Sequence, residues 1–322
     1  MSLGKGVLRV ILTFLVVLLL LSFLVFALSR ACPGDPLMAY FGDGLERMSE
    51  VEKDAARDRL GLNDSLLTQY GRWFAGALHG DLGLSYQYKE PVGRVIGDLW
   101  GNTLLLGGVS YGILFALAIW LGAFCALREG SRTDRIIRRI GILSSNVPAF
   151  FLSMVLILIF SVKLGILPAS GAYDYGQSGS VISRITHLIL PVTVLVLEHL
   201  WYYAYLIRNK LMEETRKEYV LLAKANGLSR RRIMIGHCLR NSLPSLLVLM
   251  ALAVPHILGG TYVVEMVFGY PGLGTLSMQS ALYKDYNMLM AITMITGMVV
   301  LFFNMGAQWL DRKIDPRLEV MA

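Results

Sequence analysis

The sequence predicts an all-α integral membrane protein, and three observations carry this prediction. The chain has 322 residues, of which 55% are hydrophobic and only 16% are charged, whereas a typical soluble domain carries about 25% charged residues. Its mean hydropathy is +0.56. Apolar segments recur that are long enough, at about 1.5 Å per helical residue, to cross a hydrocarbon core about 30 Å thick. Basic residues are concentrated in alternate loops, as the positive-inside rule requires.

Hydropathy predicts about six transmembrane helices. The predicted spans are residues 10–28, 103–127, 140–164, 188–207, 245–265 and 288–310. The first is too long for the h-region of a signal peptide, which has about 7 to 15 residues. Pro255, Gly259 and Gly260 lie inside the fifth span and favour a kink there, since a membrane helix tolerates them when neighbouring groups satisfy the freed backbone.

The distribution of charge predicts the topology. The loops after the second and fourth spans are basic and are therefore expected in the cytoplasm. Their cations are Arg128, Arg132, Arg135, Arg138 and Arg139, followed by Arg208, Lys210, Arg216, Lys217, Lys224 and Arg230 to Arg232. Both termini are predicted to be cytoplasmic, because Lys5 and Arg9 precede the first span and Arg312, Lys313 and Arg317 follow the last. The net charge of +7 arises from these loops, so it indicates topology rather than nucleic-acid binding.

Residues 30–100 are polar and rich in turns, which predicts an extracytoplasmic module between the first two spans. A charged stretch over residues 46–59 predicts a solvated helix within it. The loops that carry Arg184 near Asp174, and Lys284 beside Asp285, are also expected to face outward. The domain prediction is therefore residues 1–100 for the N-terminal helix with its module, and 101–322 for a membrane core.

The stretch between the fourth and fifth spans contains the most informative pattern. Residues 218–226 predict a short helix, narrow at Ala223 and Ala225, that stops at Gly227 because glycine enters a left-handed conformation at little cost. Ser229 is a good N-cap for a second helix. Three arginines follow it directly and oppose the dipole of that helix, so a position beside the cytoplasmic membrane surface accounts for them better than local helix energetics.

This stretch resembles the coupling loop of permease subunits in binding-protein-dependent ABC importers, in the dipeptide, oligopeptide and nickel branch. The matching positions are Tyr219, Val220, Ala223, Ala225, Gly227, Leu228, Ser229, His237, Leu239, Arg240 and Asn241. The resemblance implies a five-helix permease core preceded by an N-terminal helix and an external module. It also implies a coupling loop over residues 208–243. The residues of this loop that are expected to couple to an ATPase subunit are Glu218, Tyr219, Ala223, Ala225, Gly227, Leu228 and Ser229. Leu221 and Leu222 depart from the family, which more often has polar groups there, and Pro244 falls one residue early.

Short motifs extend the resemblance over most of the chain. They are Gly34-Asp35-Pro36, Leu60-Gly61-Leu62, Gly80-Asp81-Leu82-Gly83-Leu84-Ser85, Gly259-Gly260, Glu265, Phe268, Pro271-Gly272-Leu273-Gly274 and Asp315-Pro316-Arg317. Residues 269–274 look like a phosphate-binding loop, but a tight external turn is the better interpretation because they follow a membrane span. The chain contains no G-x-x-x-x-G-K-[ST] motif, so we expect no nucleotide site of this type in it.

The resemblance implies a transport subunit that is not an enzyme by itself. Its expected partners are a second homologous permease subunit, two ATPase subunits or domains that bind ATP and magnesium, an extracytoplasmic solute-binding protein and membrane lipid. The expected location is the plasma (inner) membrane of a bacterium or archaeon. The cargo stays open between di- or oligopeptides and nickel or metal-chelate complexes. No cofactor is expected in this chain.

Three ionisable residues inside predicted spans are candidates for the translocation path. Glu198 and His199 lie midway along the fourth span and His256 lies in the fifth, where such groups normally face a partner or a wet cavity. Two other interpretations remain open for them: hydrogen bonding between helices for structure, and an ion relay in a secondary transporter or channel. An intramembrane enzyme would need paired catalytic groups, and neighbours in sequence point about 100° apart on a helix. Cys32, Cys125 and Cys238 form no disulfide framework, and no set of histidines or cysteines has metal-ligand spacing.

Overall fold

The computed structural model describes residues 3–31, 36–143 and 147–314, and within them the regular structure is helical. Twelve labels suffice for these helices: α1 Leu3–Ala31, α2 Pro36–Phe41, α3 Glu50–Arg59, α4 Leu66–Leu78, α5 Val92–Leu127, α6 Arg132–Leu143, α7 Ala149–Lys163, α8 Val181–Glu214, α9 Glu218–Ala225, α10 Arg230–Val267, α11 Leu273–Leu282 and α12 Tyr286–Ile314. A 3₁₀ helix, Gly42–Arg47, joins α2 to α3. The all-α prediction is confirmed.

Five of these helices, α1, α5, α8, α10 and α12, are long and apolar enough to cross a membrane. The apolar α7 is shorter and coincides with most of the third predicted span. That span is wrong as a single helix over 140–164, because α6 ends at Leu143 and α7 begins at Ala149. Pro148 precedes α7 in an extended conformation, and a proline disfavours helical geometry in the residue before it.

The fifth predicted span begins much earlier than expected. Instead of starting near residue 245, α10 runs without interruption from Arg230 to Val267, so the second helix of the predicted coupling loop and the span are one element. A wider π-helical turn, Met234–Leu239, lies just before Pro244. In a regular helix the ring of a proline clashes with the preceding turn, and a local π-helical turn is one way to relieve that crowding. The fourth span is likewise longer than predicted, since α8 extends to Glu214.

The chain divides into two compact units, of which the first contains the residues before 102 together with 272–301. Within it, α3 begins at Glu50 rather than at residue 46, because the 3₁₀ helix takes the preceding residues. Ser49 and Glu52 form a capping box at its start. The hydrogen bonds that Glu52 accepts from the backbone and hydroxyl of Ser49 lower the pKa of its carboxyl, since they favour the charged form.

The carboxylate of Asp285 organises another part of this unit. Asp285, in a loop that is predicted to face the outside of the membrane, is fully buried. It accepts hydrogen bonds from the hydroxyl of Ser85 and the backbone N–H of Gln87, and it caps the start of α12 through the backbone N–H of Met288. The turn before it places Lys284 at a φ of +58°. A buried carboxylate requires such partners, and these tie the 85–87 loop to the start of α12.

The second unit contains residues 102–271 and those from 302 onward. At its centre α8 packs against α6, α7 and α10. Glycines of two neighbouring helices permit a close approach to α8: a Cβ at Gly122 of α5 would lie 3.1 Å from the carbonyl oxygen of Ala204, and one at Gly141 of α6 would lie 2.9 Å from that of Trp201. His187 is buried, and its Nδ1 lies 2.8 Å from the carbonyl oxygen of Ser183.

A buried ion pair joins α6 to α8. Asp134 is 1% exposed, and the guanidinium of Arg208 binds it through two hydrogen bonds of 2.9 Å, one to each carboxylate oxygen. The backbone N–H of Gly130 donates a third, at 3.0 Å. A two-point pair between a guanidinium and a carboxylate is strong and directional. It therefore fixes the position of α6 relative to α8.

Candidate functional site

The short helix α9, which lies between α8 and α10, is confirmed, and so is its glycine stop. It covers Glu218–Ala225, with Asn226 as its C-cap. Gly227 has a φ of +76°. The N–H of Gly227 donates to Lys224 at 2.9 Å and that of Leu228 donates to Ala223 at 3.1 Å. These are the two hydrogen bonds of a Schellman motif, in which the left-handed residue is usually glycine.

The two faces of α9 differ sharply. Val220 and Ala223 are buried at 1% and 6% exposure. On the outer side Lys224 and Ala225 are exposed, and Leu221 and Leu222 are 62% and 65% exposed. Of the two small residues that suggested a narrow helix, only Ala225 therefore faces outward, and Ala223 packs toward the core of the unit.

A polar network at the base of α9 was not predicted. Glu214, the last residue of α8, is 3% exposed. Its carboxylate accepts hydrogen bonds from the ammonium of Lys217 at 2.5 Å and from the hydroxyl of Tyr219 at 2.8 Å. Burial raises the pKa of the Tyr219 phenol, so Tyr219 stays neutral and donates. Both ends of α9 are thus held in place.

The segment after the turn also follows the prediction locally. The hydroxyl of Ser229 accepts the backbone N–H of Arg232 and caps α10. Arg230, Arg231 and Arg232 are exposed, as are His237, Arg240 and Asn241. Leu228 and Leu239 pack against the main core. Cys238 is fully buried.

The three ionisable residues proposed for the translocation path lie at one contact between α8 and α10. Glu198 Oε2 is 3.7 Å from His199 Nδ1, which is also 2.9 Å from the carbonyl oxygen of Leu195. Among the residues that the structure describes, none donates a hydrogen bond to this buried Oε2 atom. Gly260 of α10 faces the pair, since a Cβ there would lie 3.4 Å from Glu198 Oε2 and 3.3 Å from His199 Cε1.

Tyr203 connects this pair to His256. Its ring stacks on that of His199 with centroids 6.3 Å apart, and its hydroxyl lies 3.3 Å from His256 Nδ1. Tyr203 was missed in the sequence, and Gly260 was predicted only to favour a kink, although each follows a candidate histidine by four residues. That spacing places two side chains on the same helix face, so it was the available signal.

The remaining sequence candidates add no further cluster. In the described part of the chain no group of three or more His, Cys, Asp or Glu side chains could hold a metal ion. His79 is exposed, and its Nδ1 lies 2.8 Å from the carbonyl oxygen of Ala75. Cys125 is buried as a free thiol. Cys32, the Gly34-Asp35 pair and residues 315–317 lie outside the described residues.

Comparison with known proteins is consistent with this geometry. Residues 118–320 match the model of the binding-protein-dependent transport system inner membrane component, and residues 4–107 match the N-terminal model for the membrane components of such systems. The oligopeptide transport system permease protein AppB of Bacillus subtilis is 32% identical over 304 residues, which are 94% of this chain and 95% of AppB.

Two further relatives broaden the comparison. A putative peptide permease protein of Brucella suis biovar 1 is 31% identical over 94% of this chain and 95% of its own length. The metal-staphylopine import system permease protein CntB of Staphylococcus aureus is 30% identical over 98% of both chains. This chain is therefore a multi-pass membrane protein that belongs to the family of binding-protein-dependent transport system inner membrane components, the permease subunits of ABC importers.

Proposed function

We propose that this chain forms one half of an importer's translocation pathway for di- or oligopeptides or for metal-chelate complexes, and that α9 couples it to a cytoplasmic ATPase. The relatives support the cargo class, because they are named for oligopeptide, peptide and metal-staphylopine transport. The single observation that carries the coupling proposal is the form of α9. It is a short helix fixed at both ends whose outer face is apolar and exposed.

The outer face of α9 fits insertion into a groove. Leu221 and Leu222 expose more than half of their surface on a helix of eight residues outside the predicted spans. Burying a leucine side chain contributes about 1.5 to 3 kcal/mol. Lys224 and the three arginines, which follow this pair in the sequence, are also exposed. The ATPase groove that receives α9 should therefore have an apolar floor and an acidic rim.

The attachment of α9 allows it to transmit motion. Glu214 ends α8 and contacts Tyr219 of α9 through its carboxylate, while the Schellman turn leads directly into α10. Two long helices thus leave the base of α9. Movement of α9 by the ATPase, powered by ATP and magnesium bound in the ATPase subunits, would shift α8 and α10 and with them the contact of Glu198, His199 and His256.

The remaining assignments complete the transporter. A second, similar permease would supply the other half of the pathway, and a solute-binding protein would deliver cargo to the face opposite α9. The positive-inside pattern supports cytoplasmic loops on either side of α6 and around α9, with both termini on the same side. Residues 1–100 then carry the external module, and 101–322 the permease core. Identification of the molecules that copurify with the binding protein would determine the cargo.

Coupling is tested in the purified complex of both permeases, the ATPase subunits and the binding protein. Gly227→Val should abolish coupling, because a β-branched residue is strained at positive φ, and Ala225→Trp should interfere by bulk. Both should reduce ATPase association and cargo-stimulated hydrolysis while the permease still inserts in the membrane. Lys224→Gln and Arg231→Gln are the controls and should have smaller effects if shape dominates the contact.

A second experiment tests whether Leu221 and Leu222 contribute to ATPase association. Leu221→Ser with Leu222→Ser should weaken ATPase association at least about tenfold, the equivalent of about 1.4 kcal/mol. Val51→Ser is the matched control, because Val51 is 80% exposed in α3. Normal association and transport in both the Gly227 and Ala225 variants would refute the coupling role. A secondary transporter or channel, by contrast, would retain uptake when the ATPase subunits are omitted.

A further inference from the structure

Helix α4 packs beside the first membrane-spanning helix, although it belongs to the polar stretch predicted to lie outside the membrane. The rings of Phe23 and Phe26 contact that of Tyr70 with centroids 5.2 and 5.6 Å apart, and Trp73 lies 6.3 Å from Phe26. The hydroxyl of Tyr70 is hydrogen-bonded to that of Ser22 at 2.7 Å. The contact is therefore specific and involves the middle of α4.

The depth of this contact follows from helix geometry. Residues 10–29 contain no charged side chain, and Arg30 is the first after Arg9. Ser22 lies a little more than two helical turns before Arg30, or about 12 Å at about 1.5 Å per residue. Because charged side chains stay at the membrane surface, Tyr70 meets α1 well inside the apolar part of the span rather than above it.

The composition of α4 suits this depth. Seen along its axis, aromatic and leucine side chains cover one side, and Thr68, Gln69 and Arg72 cover the other. Only one edge of the apolar side meets α1. The other edge carries Leu67 and Leu78, which are 69% and 71% exposed.

The polar side of α4 is attached to its own preceding loop. The amide of Gln69 donates to the carbonyl oxygens of Leu62 and Asp64 at 3.1 and 2.9 Å, and Arg72 forms a 2.5 Å ion pair with Asp64. Ser65 caps the start of the helix. The loop therefore stays with the polar side of α4 and leaves the edge that carries Leu67 and Leu78 uncovered by it.

We propose that α4 is a membrane-interfacial helix whose Leu67–Leu78 edge is embedded in the acyl-chain boundary of one leaflet, with phospholipid as its partner. Amphipathic helices of this kind lie about 5 to 10 Å into the boundary between headgroups and acyl chains, which is close to the rise of about 12 Å between Ser22 and Arg30. This inference concerns lipid contact and does not rest on coupling by α9.

Spin-label accessibility tests the proposal in the complete complex, reconstituted in phosphatidylcholine–phosphatidylglycerol vesicles. The three native cysteines are replaced by serine, and single labels are placed at Leu67→Cys, Leu78→Cys and Thr68→Cys. Val51→Cys on α3 is a solvent control. We expect labels at 67 and 78 to collide readily with oxygen and rarely with a water-soluble nickel chelate. The oxygen-to-nickel ratio there should exceed that at 68 and 51 severalfold.

Two outcomes would overturn the proposal. High nickel accessibility at 67 and 78, equal to that at 51, would mean that the edge faces water. Low accessibility to both reagents would mean that protein covers it, such as the binding protein or the second permease. Both substituted leucines are highly exposed, so loss of folding should not obscure the result, and retained cargo-stimulated ATPase activity verifies that each labelled complex is intact.

Discussion

Helix α8 carries two ionisable sites about 15 Å apart along its axis, and they differ in how completely their polar atoms are paired. Near its end, Arg208 and Asp134 form a two-point ion pair that Gly130 completes. Near its middle, Glu198 and His199 lie beside each other, but Glu198 Oε2 accepts no hydrogen bond from the described residues. At the first site both carboxylate oxygens accept hydrogen bonds, as expected for an ion pair that holds two helices together. The second retains an acceptor, which costs stability and is a common feature of functional sites.

The largest effect on stability should come from breaking the ion pair between Asp134 and Arg208. Arg208→Gln leaves the Asp134 carboxylate buried without its counter-ion, and breaking a buried pair costs about 3 to 5 kcal/mol. We expect a strong loss of thermal stability and of folded yield in detergent, followed by tryptophan fluorescence. The double variant Asp134→Asn with Arg208→Gln removes both charges and should recover part of the loss. A decrease in stability of less than about 1 kcal/mol for Arg208→Gln would show that this joint is not structural.

An intermediate effect should come from adding a methyl group at Gly260, beside Glu198 and His199. In Gly260→Ala the new Cβ would lie 3.1 Å from Leu195 Cδ2 and close to both Glu198 and His199. Overpacking of this kind costs about 1 to 3 kcal/mol, and these side chains must shift to accommodate it. Gly259→Ala is the matched control, because a Cβ there meets nothing within 4 Å. Uptake and stability should fall for Gly260→Ala only. Equal uptake and equal stability of the two variants would mean that α8 and α10 can move apart at Gly260 without a cost in stability.

The smallest effect on stability should come from Glu198→Gln. The amide has nearly the same shape, and removing a partly unpaired buried charge should change stability by less than about 1 kcal/mol. Cargo uptake should nevertheless change, because the negative charge beside His199 is lost and an amide donor replaces one carboxylate oxygen. His199→Ala provides the comparison. If both variants transport every tested cargo at the normal rate and are markedly unstable, the site is structural like Asp134 and Arg208, and the contrast between the two sites disappears.

Local signals explain why the turn at Gly227 was predicted so closely. A glycine followed by a serine N-cap specifies both helix ends from only a few adjacent residues. The prediction failed where distant residues decide. The inward orientation of Ala223, for example, depends on the core beneath α9. The unbroken α10 was missed because hydropathy marks only its apolar part, while backbone geometry continues through the basic segment.

Hydropathy, charge and glycine conformation act over short stretches of chain, so the all-α membrane class, the number of apolar segments and the short helix that ends at Gly227 could be predicted from local patterns. The pairing of charges and the covering of apolar edges could be seen only in the folded chain. The tertiary structure joined Asp134 to Arg208, gathered His199, Tyr203 and His256, and placed α4 against α1. Pairing and burial depend on contacts between residues that are tens of positions apart, and local sequence patterns do not specify which of these residues come into contact.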